Sequence, residues 1–176
     1  MAKIFIETER LVLREIIPED AKAFFEMDSN PEVVKYVGMK PLTEIGQSVE
    51  MIKSIRKQYE ENGIGRWAVI QKDTGKLVGW SGLKFIKEIN NHHNIYDLGY
   101  RFTPEYWGKG YATETSIAVL NYAFTEMNLG KVFAYADVEN NASNHVLKKL
   151  GFEEKGTFMD EGDECFWYEK SFNSTI

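Results

Sequence analysis

A chain of 176 residues with 43 % hydrophobic, 14 % aromatic and 27 % charged residues is long enough for one globular domain. It is too apolar for a disordered, collagen-like or coiled-coil protein. Lys and Arg number 21 against 27 Asp and Glu, a net charge of −6, which excludes a general nucleic-acid-coating role and is compatible with a cationic partner.

The single cysteine, Cys165, rules out an internal disulfide and a cysteine-built zinc site. No run approaches the length of a membrane span, and the charged opening MAKIFIETERLVLREI lacks the apolar segment of a signal peptide. The expected compartment is the cytoplasm. Without repeats, low-complexity stretches or linkers, the chain reads as one domain over residues 1–176, with its core over about 8–172.

In chain order, residues 9–16 (ERLVLREI) alternate and predict a half-buried strand with Leu11 and Leu13 inward. Pro18 opens a helix whose Glu19 and Asp20 suit the positive end of its dipole and whose Ala21, Phe24 and Phe25 form an apolar stripe. Asn30-Pro31 marks a turn into a short helical piece, PEVVKYV. Thr43 is the expected cap of a longer helix carrying Ile45, Val49, Ile52, Ile55 and Tyr59, ended at Asn62-Gly63.

Two strand-like runs, RWAVIQ and KLVGWSGLKFI, joined by Asp73-Thr74-Gly75, predict an antiparallel hairpin. His92 and His93 fall in an expected polar connection, NNHHN. A strand over 95–102 leads through TPEYWGKGYATE to a long helix, with Ala112, Ile117, Leu120, Phe124 and Met127 expected inward and Gly130 ending it. A strand over 131–138 leads through ENNAS to a helix stopped at Gly151, and strands near 152–158 and 164–171 close the chain. Successive strands followed by a single β-α-β unit predict an α/β (α+β) fold with a mixed sheet.

The segment Trp107-Gly108-Lys109-Gly110-Tyr111-Ala112-Thr113-Glu114 joins a strand to a long helix. Small residues there let the backbone approach a ligand, and the free N–H groups of a first helical turn attract an anion such as a pyrophosphate; Lys109 adds a point charge. A tight turn with no ligand is the alternative. The P-loop pattern fails, and the dinucleotide pattern is only half met by Gly108 and Gly110, because Thr113 stands where the third Gly or Ala belongs. Asn140 and Ser143 open the last helix, where such residues act as caps; they lie at the same sheet edge as the phosphate segment and so could also hold a ligand arm or donate a proton.

With these residues in view, ERLVLRE…PEDA, LGYRFTPEYWGKGYATE and NNASNHVLKKLGF make the chain resemble GNAT-type N-acetyltransferases over nearly its whole length. Among them it is most similar to the RimJ/RimL-like, ribosomal-protein-alanine branch. The resemblance implies a mostly antiparallel sheet splayed between two central parallel strands, flanked by helices, with acetyl-CoA in the opening and no metal. It implies that the family's Gln/Arg-x-x-Gly-x-Gly/Ala loop falls on Trp107, Gly108, Lys109, Gly110, Tyr111 and Ala112, and that the cradle over 108–113 anchors the pyrophosphate.

Trp107 departs from the Gln or Arg of that pattern. The strand end Tyr100-Arg101-Phe102-Thr103 is implied to lie along the pantetheine arm, with a backbone N–H polarising the acetyl carbonyl. Asn140 and Ser143 are implied to lie near the CoA sulfur. Many members carry a Tyr four residues beyond Ser143 that protonates the leaving thiolate; Leu147 stands there, so Ser143 is the expected acid. Asp97 is the expected base, with a solvated strand carboxylate as the other reading. Glu164 and Tyr36 are implied to border the acceptor.

The implied reaction is direct attack by a primary amine on acetyl-CoA. A protein N-terminal Ala or Ser is the branch's acceptor, and a small amine such as a polyamine, amino acid or aminoglycoside is the alternative. An α-amine, with a pKa of about 7.7–8.0, needs a weaker base than a lysine-like amine, which costs about 4.6 kcal/mol to deprotonate at neutral pH. A non-catalytic acyl-CoA-binding module is the alternative from another class. A homodimer is a family-level expectation; no nucleic acid or membrane is expected as a partner.

Glu114 suits the helix dipole without chemistry. His92, His93 and His145 do not form a metal set. Trp67, Trp80 and Trp167 read as core or pocket walls. Cys165 reads as a small strand residue, with an acetyl-carrying thiol as the alternative.

Overall fold

The computed structural model describes residues 2–172. Eight strands form one sheet: β1 (Ile4–Glu7), β2 (Leu11–Arg14), β3 (Arg66–Gln71), β4 (Leu77–Ile89), β5 (His92–Phe102), β6 (Lys131–Asp137), β7 (Glu153–Asp160) and β8 (Asp163–Ser171), in the order β1-β2-β3-β4-β5-β6-β8-β7. The helices are α1 (Ala21–Asp28), α2 (Pro31–Val34), α3 (Ile45–Asn62), α4 (Tyr111–Thr125) and α5 (Asn141–Lys149). Every strand pair is antiparallel except β5 with β6, which are parallel and meet in register only at Asp97 and Phe133. The mixed, mostly antiparallel sheet is as the sequence predicts.

Side-chain alternation divides the core. Leu11, Leu13, Trp67, Val69, Leu98, Phe102 and Val132 point to the face covered by α4 and α5. Ala68 points to the opposite face, where Ile16, Phe24, Met27, Val34 and Ile52 pack beneath α1, α2 and α3.

Several local expectations are corrected. The sheet begins a strand earlier than predicted, because the Thr8 hydroxyl bonds both the C=O and the N–H of Leu11 and turns β1 into β2. His92 and His93 belong to β5, not to a loop. The turn is the pair Asn90–Asn91, at φ 47° and 58°, the left-handed conformations a two-residue hairpin demands and Asn tolerates. Helix α3 starts after Glu44, not Thr43, and Gln47 reaches back to accept from the N–H groups of both.

On α4 the buried face is Tyr111, Thr115, Ser116, Val119, Leu120 and Ala123, while Ile117 is exposed. The small polar side chains of Thr115 and Ser116 let this helix sit close over the sheet, a signal that an apolar-only periodicity misses.

Candidate functional site

The loop after β5 has a short 3-10 turn over Pro104–Tyr106, then Gly108 and Gly110 at φ 71° and 79°. Gly110 ends the loop and caps α4. Among the described residues, none of the main-chain N–H groups from Gly108 to Thr113 donates a hydrogen bond; the first helical bond runs from Glu114 N–H to Gly110 C=O. A string of unmet amides at the positive end of a 15-residue helix fits a pyrophosphate.

Trp107, which departs from the family's pattern, has a definite place: its indole N–H donates to the Phe102 carbonyl at 2.8 Å and ties the loop to the end of β5. The Lys109 ammonium folds over the Tyr106 ring at 5.1 Å. Tyr111 is buried beneath the Arg10 guanidinium, and Ala112 and Thr113 are half-buried. Glu114 clasps the β1–β2 turn, accepting from the Thr8 hydroxyl at 2.7 Å and from the Arg10 side chain. That contact goes beyond a dipole effect. Burial raises the Glu114 pKa, and the bonds from Thr8 and Arg10 outweigh burial and hold it lowered.

Beyond Asp97 and Phe133 the parallel strands part. The Thr103 N–H is spent on Val78 C=O at 3.1 Å. Alternation along β5 therefore turns the Tyr100 and Phe102 N–H groups toward the gap. A cavity of about 370 Å³ opens there. Asp97, Tyr100, Asn140, Ser143 and Tyr36 all line it; Glu164 does not, although its neighbours Asp163 and Cys165 do. Asn140 is the α5 cap, accepting from the Ser143 N–H at 3.1 Å.

Asp97 is buried on the α1–α3 face. One oxygen pairs with Arg66 at 2.6 Å; the other has no partner. Burial pushes its pKa up against the pull of Arg66. A Cβ at Gly99 would lie 2.7 Å from the Arg66 guanidinium, so a larger residue there would displace Arg66 from its place beside Asp97. Trp80 lines the cavity with Arg66 at 5.2 Å and Arg101 at 5.1 Å over its ring, and Arg101 is itself paired with Asp28. Trp67 is core, stacked on Phe5, and Trp167 packs against His92 and Phe133 outside the cavity.

Cys165 lines the cavity, but burial and three nearby carboxylates push its thiol up to about 11. That makes it a poor acetyl carrier. No group of His, Cys, Asp and Glu suited to a metal ion occurs among the described residues.

Sequence reasoning missed the outer wall of this cavity. Asp137, Asp160, Glu161 and Asp163 line it, and none forms an ion pair among the described residues. Arg66 and Arg101 are paired with Asp97 and Asp28, which leaves Lys84 as the only unpaired cation among the described lining residues to oppose the four acids. Burial, then Glu161 and Asp163, raise the Asp160 pKa. Asp160, Glu161 and Asp163 sit around the β7–β8 turn, where a run of acids reads as a solvated tip in the bare sequence.

A sheet parted between two parallel strands, beside a helix N-terminus lined with free amides, is the architecture of an acyl-CoA-dependent acyltransferase. The chain belongs to the GNAT acetyltransferases: a family model described as an acetyltransferase (GNAT) domain matches residues 10–153. An N-acetyltransferase of Bacillus subtilis, YoaA, whose function is uncharacterised, is 35 % identical over 86 % of this chain and 84 % of its own. The spermidine N(1)-acetyltransferase of Escherichia coli K12 is 32 % identical over 85 % and 76 %. The solved structure of RimL, a ribosomal L7/L12 α-N-protein acetyltransferase, superposes with a TM-score of 0.80 over 98 % of this chain and 96 % of that one. At 14 % identity it shares the fold alone. The activity is therefore acetyl-CoA-dependent N-acetyl transfer.

Proposed function

We propose that the acceptor is a small amine carrying at least one further positive charge, of the polyamine class. The observation that carries this reading is the cavity wall of Asp137, Asp160, Glu161 and Asp163, opposed only by Lys84. Asp137 and Asp160 are half-buried and Glu161 and Asp163 exposed; carboxylates crowded together in this way are stabilised by a cationic guest. The spermidine acetyltransferase relative supports the same class. The protein N-terminal Ala or Ser acceptor of the RimJ/RimL-like branch rests on the sequence motifs, and no feature of the cavity favours it.

In this reading the amides of Gly108–Thr113 hold the pyrophosphate. The Tyr100 and Phe102 N–H groups, in the gap between β5 and β6, face the acetyl carbonyl. Bound acetyl-CoA supplies the activated acetyl group. The free oxygen of Asp97 takes the amine proton, directly or through water, and its raised pKa improves it as a base near neutral pH. Ser143 stands on the other side of the gap, toward the leaving sulfur.

The test measures CoA-thiol release with acetyl-CoA and either spermidine or a peptide with an N-terminal Ala. Spermidine is expected to turn over, and the double change Asp160→Asn, Glu161→Gln is expected to raise its KM about tenfold with the acetyl-CoA KM unchanged. Turnover of the peptide with spermidine inert would overturn the assignment of acceptor.

A further inference from the structure

In the members that carry a tyrosine four residues beyond the Ser143 position, that tyrosine is the acid; here Leu147 occupies the place and is buried in the core. A phenol nevertheless reaches the same region from β5. Alternation sends Asp97 to the α1–α3 face and Tyr100 to the opposite one, under α4 and α5. The Tyr100 hydroxyl lies 3.0 Å from Ser143 Oγ and donates toward the Ser143 carbonyl at 3.3 Å. Both residues line the cavity between the parted strands. The two sides of the gap thus carry different chemistry: a carboxylate with a free oxygen on one, and a pair of hydrogen-bonded hydroxyls on the other.

We propose that Tyr100 is the group that protonates the departing CoA thiolate, with Ser143 as its hydrogen-bonded partner. In the transfer the amine nitrogen bonds to the acetyl carbon and the carbon–sulfur bond breaks. The sulfur takes the Tyr100 proton, and Tyr100 recovers one through Ser143. The proton lost by the amine to the Asp97 side balances the one gained by sulfur, so no further reactant is needed. Burial, partly offset by the Ser143 bond, pushes the phenol up to about 12. It is therefore protonated throughout the neutral range. The same high value means a free phenolate does not accumulate, which is why the hydroxyl partner matters.

This inference rests on acetyl transfer at the β5–β6 gap and not on which amine is used. The experiment compares the wild type with Tyr100→Phe using spermidine and two donors: acetyl-CoA, and 4-nitrophenyl acetate, whose leaving group departs as an anion without needing a proton. With acetyl-CoA, kcat is expected to fall about 100-fold and the KM for acetyl-CoA to stay within about twofold. With 4-nitrophenyl acetate the variant should match the wild type within about threefold.

Ser143→Ala, which keeps the phenol, should lose about tenfold with acetyl-CoA, and the double variant should be no worse than Tyr100→Phe alone. An equal loss with both donors would assign Tyr100 a purely structural part, and wild-type turnover by Tyr100→Phe would remove it from the chemistry; either overturns the proposal. Absence of turnover by the wild type with every amine offered would instead overturn the transferase reading, and this proposal with it.

Discussion

The donor side and the acceptor side of this site are built from different materials. The proposed phosphate cradle is main chain: a few successive amides, two glycines in left-handed conformations and the start of α4. The proposed acceptor cavity is side chain, assembled from α1, the segment 36–39, α3, β3, β4, β5, β6, α5 and the β7–β8 turn. Amides recognise a pyrophosphate whatever the neighbouring side chains are, so a cradle of this kind is expected to tolerate Trp107 in place of the usual Gln or Arg. The proposed acceptor half is expected to have no such tolerance, because each charge there would alter which amine fits. One fold can therefore keep a single donor while its acceptors diverge.

That contrast can be tested from its largest consequence down. Removing Asp97 by Asp97→Ala leaves Arg66 buried without its counter-charge, and breaking such a pair is expected to cost about 3–5 kcal/mol in urea unfolding. An unchanged midpoint would mean that Arg66 finds solvent. On the donor side, Gly110→Asp places a carboxylate among the phosphate-facing amides at a φ of 79°. Acetyl-CoA affinity in calorimetry should fall about 100-fold, or about 2.7 kcal/mol; intact affinity would break the cradle assignment.

The smallest effect is expected at Glu114, which holds the β1–β2 turn to α4. Its carboxyl is held below the ordinary value of 4.5. Its contribution is thus complete above that value and is lost as pH falls through the lower, folded-state pKa. Glu114→Gln should cost about 0.5–1 kcal/mol at neutral pH and nothing at acid pH, by unfolding at both.

The same division decided what could be read beforehand. The glycine loop before α4 is legible because glycines before a helix form a contiguous signal, and the Asn140 cap because caps are local. Apolar periodicity does not show the α4 face, because Thr115 and Ser116 are buried for closeness of packing and not for their apolarity. The acid wall was not legible at all: Asp137 and the residues of 160–163 are far apart in the chain, and only the pairing of β6 with β8 brings them together. The sequence places Tyr100 only as backbone along the cofactor arm, yet its side chain meets Ser143 across 43 residues of sequence, a separation for which no local pattern exists.

The single rung between β5 and β6 has a further consequence. Elsewhere each inner strand is bonded on both sides, but past Asp97 these two present an unpaired edge inside the sheet, where most proteins allow one only at the rim. In the proposed binding mode a donor lying there acts as a missing strand. The bound protein is then a more complete sheet than the free one, and by mass action a donor at about 100 times its dissociation constant adds about 2.7 kcal/mol to the folded state. In that mode the resting stability of this chain is coupled to the supply of its own co-substrate.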